Sequence, residues 1–98
     1  MNQNDFLRLQ HLLRDAGFAI VEATYSREAF GSWHIDVKST PRRRVIWDGK
    51  DGWLIVQEET EERFGYDFVW NDVWVGRVPV DQTGEAAVEA VRRQTGAA

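Results

Sequence analysis

The chain contains no cysteine, which excludes disulfide staples, thiol nucleophiles, thiol redox switching and cysteine-based zinc sites together. A small secreted domain commonly needs such crosslinks, so their absence favours a reducing compartment. Histidine is scarce as well: His11 and His34 are the sole examples. An imidazole metal site would need both of them, or one with carboxylates gathered around it. No apolar run approaches the roughly 20 residues that span a bilayer. Met1–Asp5 has no basic stretch leading into an apolar one, so a signal peptide is not expected and the cytoplasm is the expected location. Positive charge is in deficit, with 12 Lys and Arg against 16 Asp and Glu for a net of −4. Such a chain has no general attraction for phosphate backbones, and its field favours a basic partner.

What is present suits one domain over residues 1–98 with 43% hydrophobic residues, including five tryptophans at 33, 47, 53, 70 and 74. Residues 4–16 have the periodicity of an amphipathic helix, with Phe6, Leu9, Leu13 and Ala16 on one face and Leu12 widening it. Asn2 or Asn4 can accept hydrogen bonds from its first turn, Asp5 suits the positive end of its dipole, and Gly17 suits its end. Strands are expected at 18–25 and 30–39. The second alternates strictly, placing Trp33, Ile35 and Val37 on a buried face and His34, Asp36 and Lys38 on a wet one, the signature of an antiparallel sheet. Thr40-Pro41 marks a turn or an edge irregularity. A polar loop is expected over 61–65, then a strand at 66–70 and either a short strand or a helical turn at 72–76. Thr83 opens a final helix over 84–94 whose apolar stripe of Ala87, Val88 and Val91 is thin, so it is expected to pack at the sheet margin or to fray. These elements predict an α+β fold: N-terminal helix, meandering antiparallel sheet of four to five strands, C-terminal helix.

The best-defined local feature is the hairpin built on Trp47-Asp48-Gly49-Lys50-Asp51-Gly52-Trp53, joining strands at 42–47 and 53–59. A turn centred on Lys50 sets Trp47 against Trp53, Val45 against Ile55 and Arg43 against Gln57. A shift of one residue sets Arg43 against Glu58 and Arg42 against Glu59. Either register brings Arg42-Arg43-Arg44 alongside the acidic end of its partner, where each opposite-charge pair contributes about 0.2–1 kcal/mol.

Catalytic constellations are poor. His34 and Asp36 share a strand face, and such a pair could orient an imidazole for a small enzyme. Ser26, Ser32 and Ser39 sit in no strained nucleophile elbow. Asp48 and Asp51 supply too few oxygens for calcium, with Lys50 set against the cation. The expectation is therefore no metal and no cofactor. The arginine run could track a single nucleic-acid strand, but alternation sends Arg43 to the face opposite Arg42 and Arg44, and the facing glutamates neutralise it, so nucleic acid is not expected. Tryptophan is enriched at interface anchors, and the Trp70–Trp74 pair is the one placed at a partner surface.

Phe30-Gly31-Ser32-Trp33, Arg44-Val45-Ile46-Trp47-Asp48-Gly49 with Gly52-Trp53, and Trp70-Asn71-Asp72-Val73-Trp74-Val75-Gly76-Arg77 resemble segments of small, uncharacterised bacterial α+β proteins. Some of these are similar to immunity proteins of contact-dependent toxin systems. The resemblance implies an inhibitor that binds a protein and carries over no catalytic residue. The expected function is a non-enzymatic cytoplasmic protein-binding module, immunity-like in its concrete form. Glu58, Glu59, Glu61, Glu62, Asp67 and Asp72 would meet a basic partner, with Trp70 or Trp74 as apolar anchor. The alternative is a homodimeric structural or regulatory domain pairing through a sheet face or edge.

Overall fold

Helix α1 spans Gln3–Asp15 and is closed at both ends by its own sequence. The Asn2 side chain accepts the Asp5 backbone N–H at 2.9 Å while the Asp5 carboxylate accepts the Asn2 N–H, a reciprocal capping box. At the other end Gly17, at φ +94°, donates to the Arg14 carbonyl and Phe18 donates to that of Leu13, the paired bonds of a Schellman motif. The computed structural model describes residues 2–95. Five strands follow α1: β1 Ile20–Ser26, β2 Ser32–Val37, β3 Arg43–Asp48, β4 Trp53–Phe64 and β5 Asp67–Arg77. They form one antiparallel sheet in chain order, so the expected α+β meander is what the chain adopts. A single 3₁₀ turn, Val80–Gln82, leads into α2, Thr83–Thr95.

Both helices lie on the same face of the sheet. Phe6, Leu9 and Leu13 of α1 and Ala87 and Val91 of α2 meet Trp33, Ile35 and Val37 of β2, Val45 and Trp47 of β3 and Leu54 of β4. Phe6 packs against Tyr25 and Trp33 with ring centroids 5.6 and 5.8 Å apart. Each aliphatic side chain sealed there contributes about 1.5–3 kcal/mol. The position of α2 corrects the expectation that it lies at the margin: Ala87, Ala90 and Val91 are fully enclosed. A stripe of small residues lets the helix sit close to its neighbours, and at Gly84 an added Cβ would lie only 3.0 Å from Leu12 Cδ1 of α1.

The β3–β4 register is the shifted one. Arg43 faces Glu58, Val45 faces Val56, Trp47 faces Leu54 and Asp48 faces Trp53. Trp47 and Trp53 therefore do not face each other but lie on opposite faces of the sheet. The cause is local: the Asp48 carboxylate accepts the N–H groups of Lys50 and Asp51, and its carbonyl accepts that of Gly52 at 2.8 Å. This leaves a four-residue connection with Gly52 at φ +75° rather than a five-residue one centred on Lys50. Gly49 is needed for a different reason, since a Cβ there would run into the Phe30 carbonyl of the β1–β2 connection.

The expected loop at 61–65 is also corrected. β4 continues to Phe64 and returns as β5 through Gly65, at φ +65°, and Tyr66, so one long hairpin replaces the loop and the two short elements. The ladder slips twice, once where Val73 is left as an extra residue opposite the Val56–Gln57 step and once between Glu59 and Arg63. At the second slip the Thr60 hydroxyl donates to the Val69 carbonyl and accepts the Glu62 N–H, replacing ladder bonds.

Candidate functional site

Among the described residues no element covers the second face of the sheet, and the strand registers define what it presents. Reading across from β1 to β5, one row holds Thr24, His34, Ile46, Ile55 and Val75. The row on one side of it runs Glu22, Asp36, Arg44, Gln57 and Asp72. On the other side stand Asp48, Trp53 and Arg77. The centre is thus apolar and its flanks are charged.

The polar row is internally bonded. Arg44 donates from Nε to Asp36 Oδ1 at 2.6 Å and from a terminal nitrogen to Oδ2 at 3.1 Å, a bidentate fork. Arg44 also lies over the Trp70 ring at 4.3 Å. The hydrogen bond to Asp36 is the chief reason its guanidinium is held above the usual arginine range; burial acts the other way, and the charges of Asp36 and Glu22 add to the rise. Asp36 itself is fully enclosed at 1% exposure, which corrects the expectation of a solvated residue on a wet face. A carboxylate can be enclosed there because its two oxygens are both engaged by one guanidinium. Further along, Gln57 donates to Asp72 at 2.8 Å.

This arrangement separates the two residues suggested for acid–base chemistry. Asp36 belongs to Arg44, and the nearest carboxylate to His34 is Glu22, 3.7 Å from Nε2. A shallow cleft of about 220 Å³ beside them is lined by Thr24, Ser26, Ser32, His34, Arg44 and Ile46. Ser32 Oγ accepts the Gly49 N–H. Among the described residues no group of three or more His, Asp or Glu side chains is placed to hold a metal ion, and no helix is long and apolar enough to cross a membrane.

The acidic residues divide among three environments. Glu58 points to the covered side and pairs with the buried Arg43 at 3.3 Å. Glu59 faces Trp70 at the end of the open face. Glu61 and Glu62 are exposed on the part of the β4–β5 hairpin that outruns β3, where strand pairing to β3 stops at Glu58 and a last bond joins Glu59 to the Arg42 carbonyl. Asp72 lies in the open polar row, and the Asp67 side chain lies outside the described residues. The protruding ribbon ends at Tyr66, which is fully exposed.

Trp70 and Trp74 are not one surface. Simple alternation would place residues four apart on the same face, but the extra residue Val73 reverses it. Trp74 packs with the core, and its ring lies against Gly76, where a Cβ would come within 2.7 Å of it. Trp70 stays on the open face beneath Arg44. The tryptophan that reaches solvent most is Trp53, with Arg77 over its ring at 5.0 Å. The signal that could have identified it was the shifted hairpin register, which puts Trp53 with Ile46, Ile55 and Arg44 rather than with Trp47. Compared with known proteins, the chain matches no family model, no curated protein and no solved structure.

Proposed function

We propose that this chain is a non-enzymatic, cytoplasmic protein-binding module that offers its acidic β4–β5 ribbon to a basic protein partner, as an immunity-like inhibitor would. The observation that carries the reading is the placement of charge. Residues 59–70, the part of the hairpin beyond β3, hold Glu59, Glu61, Glu62 and Asp67 against Arg63, a net of −3 out of −4 for the whole chain. The rest of the molecule carries a net of only −1, so most of the field is concentrated on one projecting hairpin, where it steers encounter with a cationic surface. Tyr66 at the tip and Trp70 at the base supply amphipathic rings of the kind that anchor interfaces.

The test is capture from a lysate of the source cells on immobilised protein, comparing the native chain with a triple Glu59→Gln, Glu61→Gln, Glu62→Gln variant. One basic protein retained by the native chain and released by moderate salt, but lost from the variant, is the expected result. Equal retention by both proteins, or failure to retain any basic protein, overturns the reading.

A further inference from the structure

The open face has a symmetry that its row pattern makes visible. Its middle row carries Ile46, Ile55 and Val75 side by side on adjacent strands. Val75 is 49% exposed and the neighbouring Trp53 37%. On β5, Arg77 and Asp72 stand one row to either side of Val75, because the extra residue Val73 takes up one position between Trp74 and Asp72. Both are exposed. On β3, Asp48 and Arg44 stand in the same way on either side of Ile46. Opposite charges therefore flank an apolar line on two separate strands.

We propose that this face is covered by a second copy of the chain, related by a two-fold axis that runs along the row from Thr24 to Val75. Rotation about that line lays β5 on β5 and β3 on β3 with strand directions reversed. The apolar row then meets itself, and each flanking row meets the other. Arg77 of one copy faces Asp72 of the second, and Arg44 faces Asp48, each pairing made twice. Trp53 comes against the aliphatic part of Gln57. Strands close to antiparallel across the interface match the aligned mode of sheet-on-sheet packing.

Two further features single out the face over the edges. β1 and β5 are the edge strands, and each carries a bulge, at Val21 and Val73, that bends the edge away from straight pairing with another strand. The face also has sufficient extent. Five strands about 4.8 Å apart and three rows about 7 Å apart cover about 500 Å² on each copy, so about 1,000 Å² in total, the lower bound for a specific interface. The dimer is accordingly one that dissociates at micromolar concentrations. Its two acidic ribbons project from opposite ends, clear of the interface.

Sedimentation equilibrium over about 5–200 μM tests the arrangement with Arg77→Asp, Asp72→Arg and the double swap. The native chain is expected to show a monomer–dimer equilibrium. Arg77→Asp sets two carboxylates against each other and Asp72→Arg sets two guanidiniums together, so each weakens the dimer at least about tenfold. The double swap rebuilds the pairs with reversed polarity and recovers the native constant to within about threefold. Circular dichroism confirms folding of all four proteins, since both side chains are exposed. A native chain that stays monomeric throughout, single variants that dimerise like the native chain, or a double swap no better than the singles each overturns the proposal.

Discussion

Replacing Asp36 by alanine removes the acceptor that holds Arg44 in the open face, and the loss can be sized from the surroundings. Asp36 is 1% exposed and accepts two hydrogen bonds, at 2.6 and 3.1 Å. Breaking a fully buried ion pair by removing one partner costs about 3–5 kcal/mol. The Arg44 side chain keeps 27% of its surface in water, so the stranded guanidinium is partly hydrated, and about 2–3 kcal/mol is expected. For a domain of this size that lowers Tm by about 10–20 °C and the urea midpoint by about 1–3 M. Urea unfolding followed by tryptophan emission reads the loss directly, with Trp70 reporting on the cation stacked over it. The converse substitution, Arg44→Ala, is expected to be worse than Asp36→Ala, because it strands the more deeply enclosed charge. The double variant loses less than the two single losses added together. A loss below about 0.5 kcal/mol for Asp36→Ala, or the reverse order of the two single variants, would refute this account. The pH dependence follows from the raised pKa of Arg44, caused chiefly by its hydrogen bond to Asp36. A raised basic group contributes fully below its unfolded pKa and loses that contribution only as pH rises through the folded value. On the guanidinium side the pair is therefore expected to hold constant up to about pH 10.

Two other substitutions probe close approach. Gly49→Ala drives a methyl group into the Phe30 carbonyl, so the β1–β2 connection and the β3–β4 turn must separate; thermal unfolding is expected to show a loss of about 2–4 kcal/mol. Ala87→Leu, on the enclosed face of α2, forces that helix off the sheet and costs about 1–3 kcal/mol. Were α2 marginal, the added leucine would instead be neutral or stabilising in the same assay.

Features set by a few adjacent residues were legible in the sequence. Asn2 with Asp5 and the glycine at 17 marked both ends of α1, and the alternation through Trp33, Ile35 and Val37 identified a sheet with one covered face. The hairpin at Trp47–Trp53 was legible as a hairpin but not in register, because the choice between four and five connecting residues depends on where the Asp48 carboxylate finds its donors. That single step decides whether Trp53 is covered or open. The extra residue at Val73 was invisible for a similar reason: a bulge is set by pairing with β4 and leaves no mark in the hydrophobic pattern of β5. The thin stripe on α2 was legible, but its depth was not, since small side chains allow either loose contact or very close packing. Asp36 was read from its neighbours in sequence, whereas its burial depends on Arg44 across the strand pair. The acidic run from Glu58 was legible in composition, and the shifted register already set Glu58 against Arg43; that Glu61 and Glu62 stay on a projecting ribbon was not, because strand pairing carries β4 on through the expected polar loop.

The strand order, which simply follows the chain, has a consequence for how the molecule is assembled in time. Every strand pairs with its predecessor through a short connection, so each step of sheet growth closes a small loop at little entropic cost. The distant partners are α1 and α2, which meet each other across the four reversals of the sheet, while α1 also packs on the adjacent β1 and α2 on the adjacent β5. Sheet formation is thus expected to be local and rapid for a β-rich chain, with the α1–α2 contact, which joins the two extremes of the described sequence, expected to close last. Substitutions at the α1–α2 contact, such as at Gly84 or Leu12, are expected to act mainly on the rate of unfolding and to leave the rate of folding nearly unchanged.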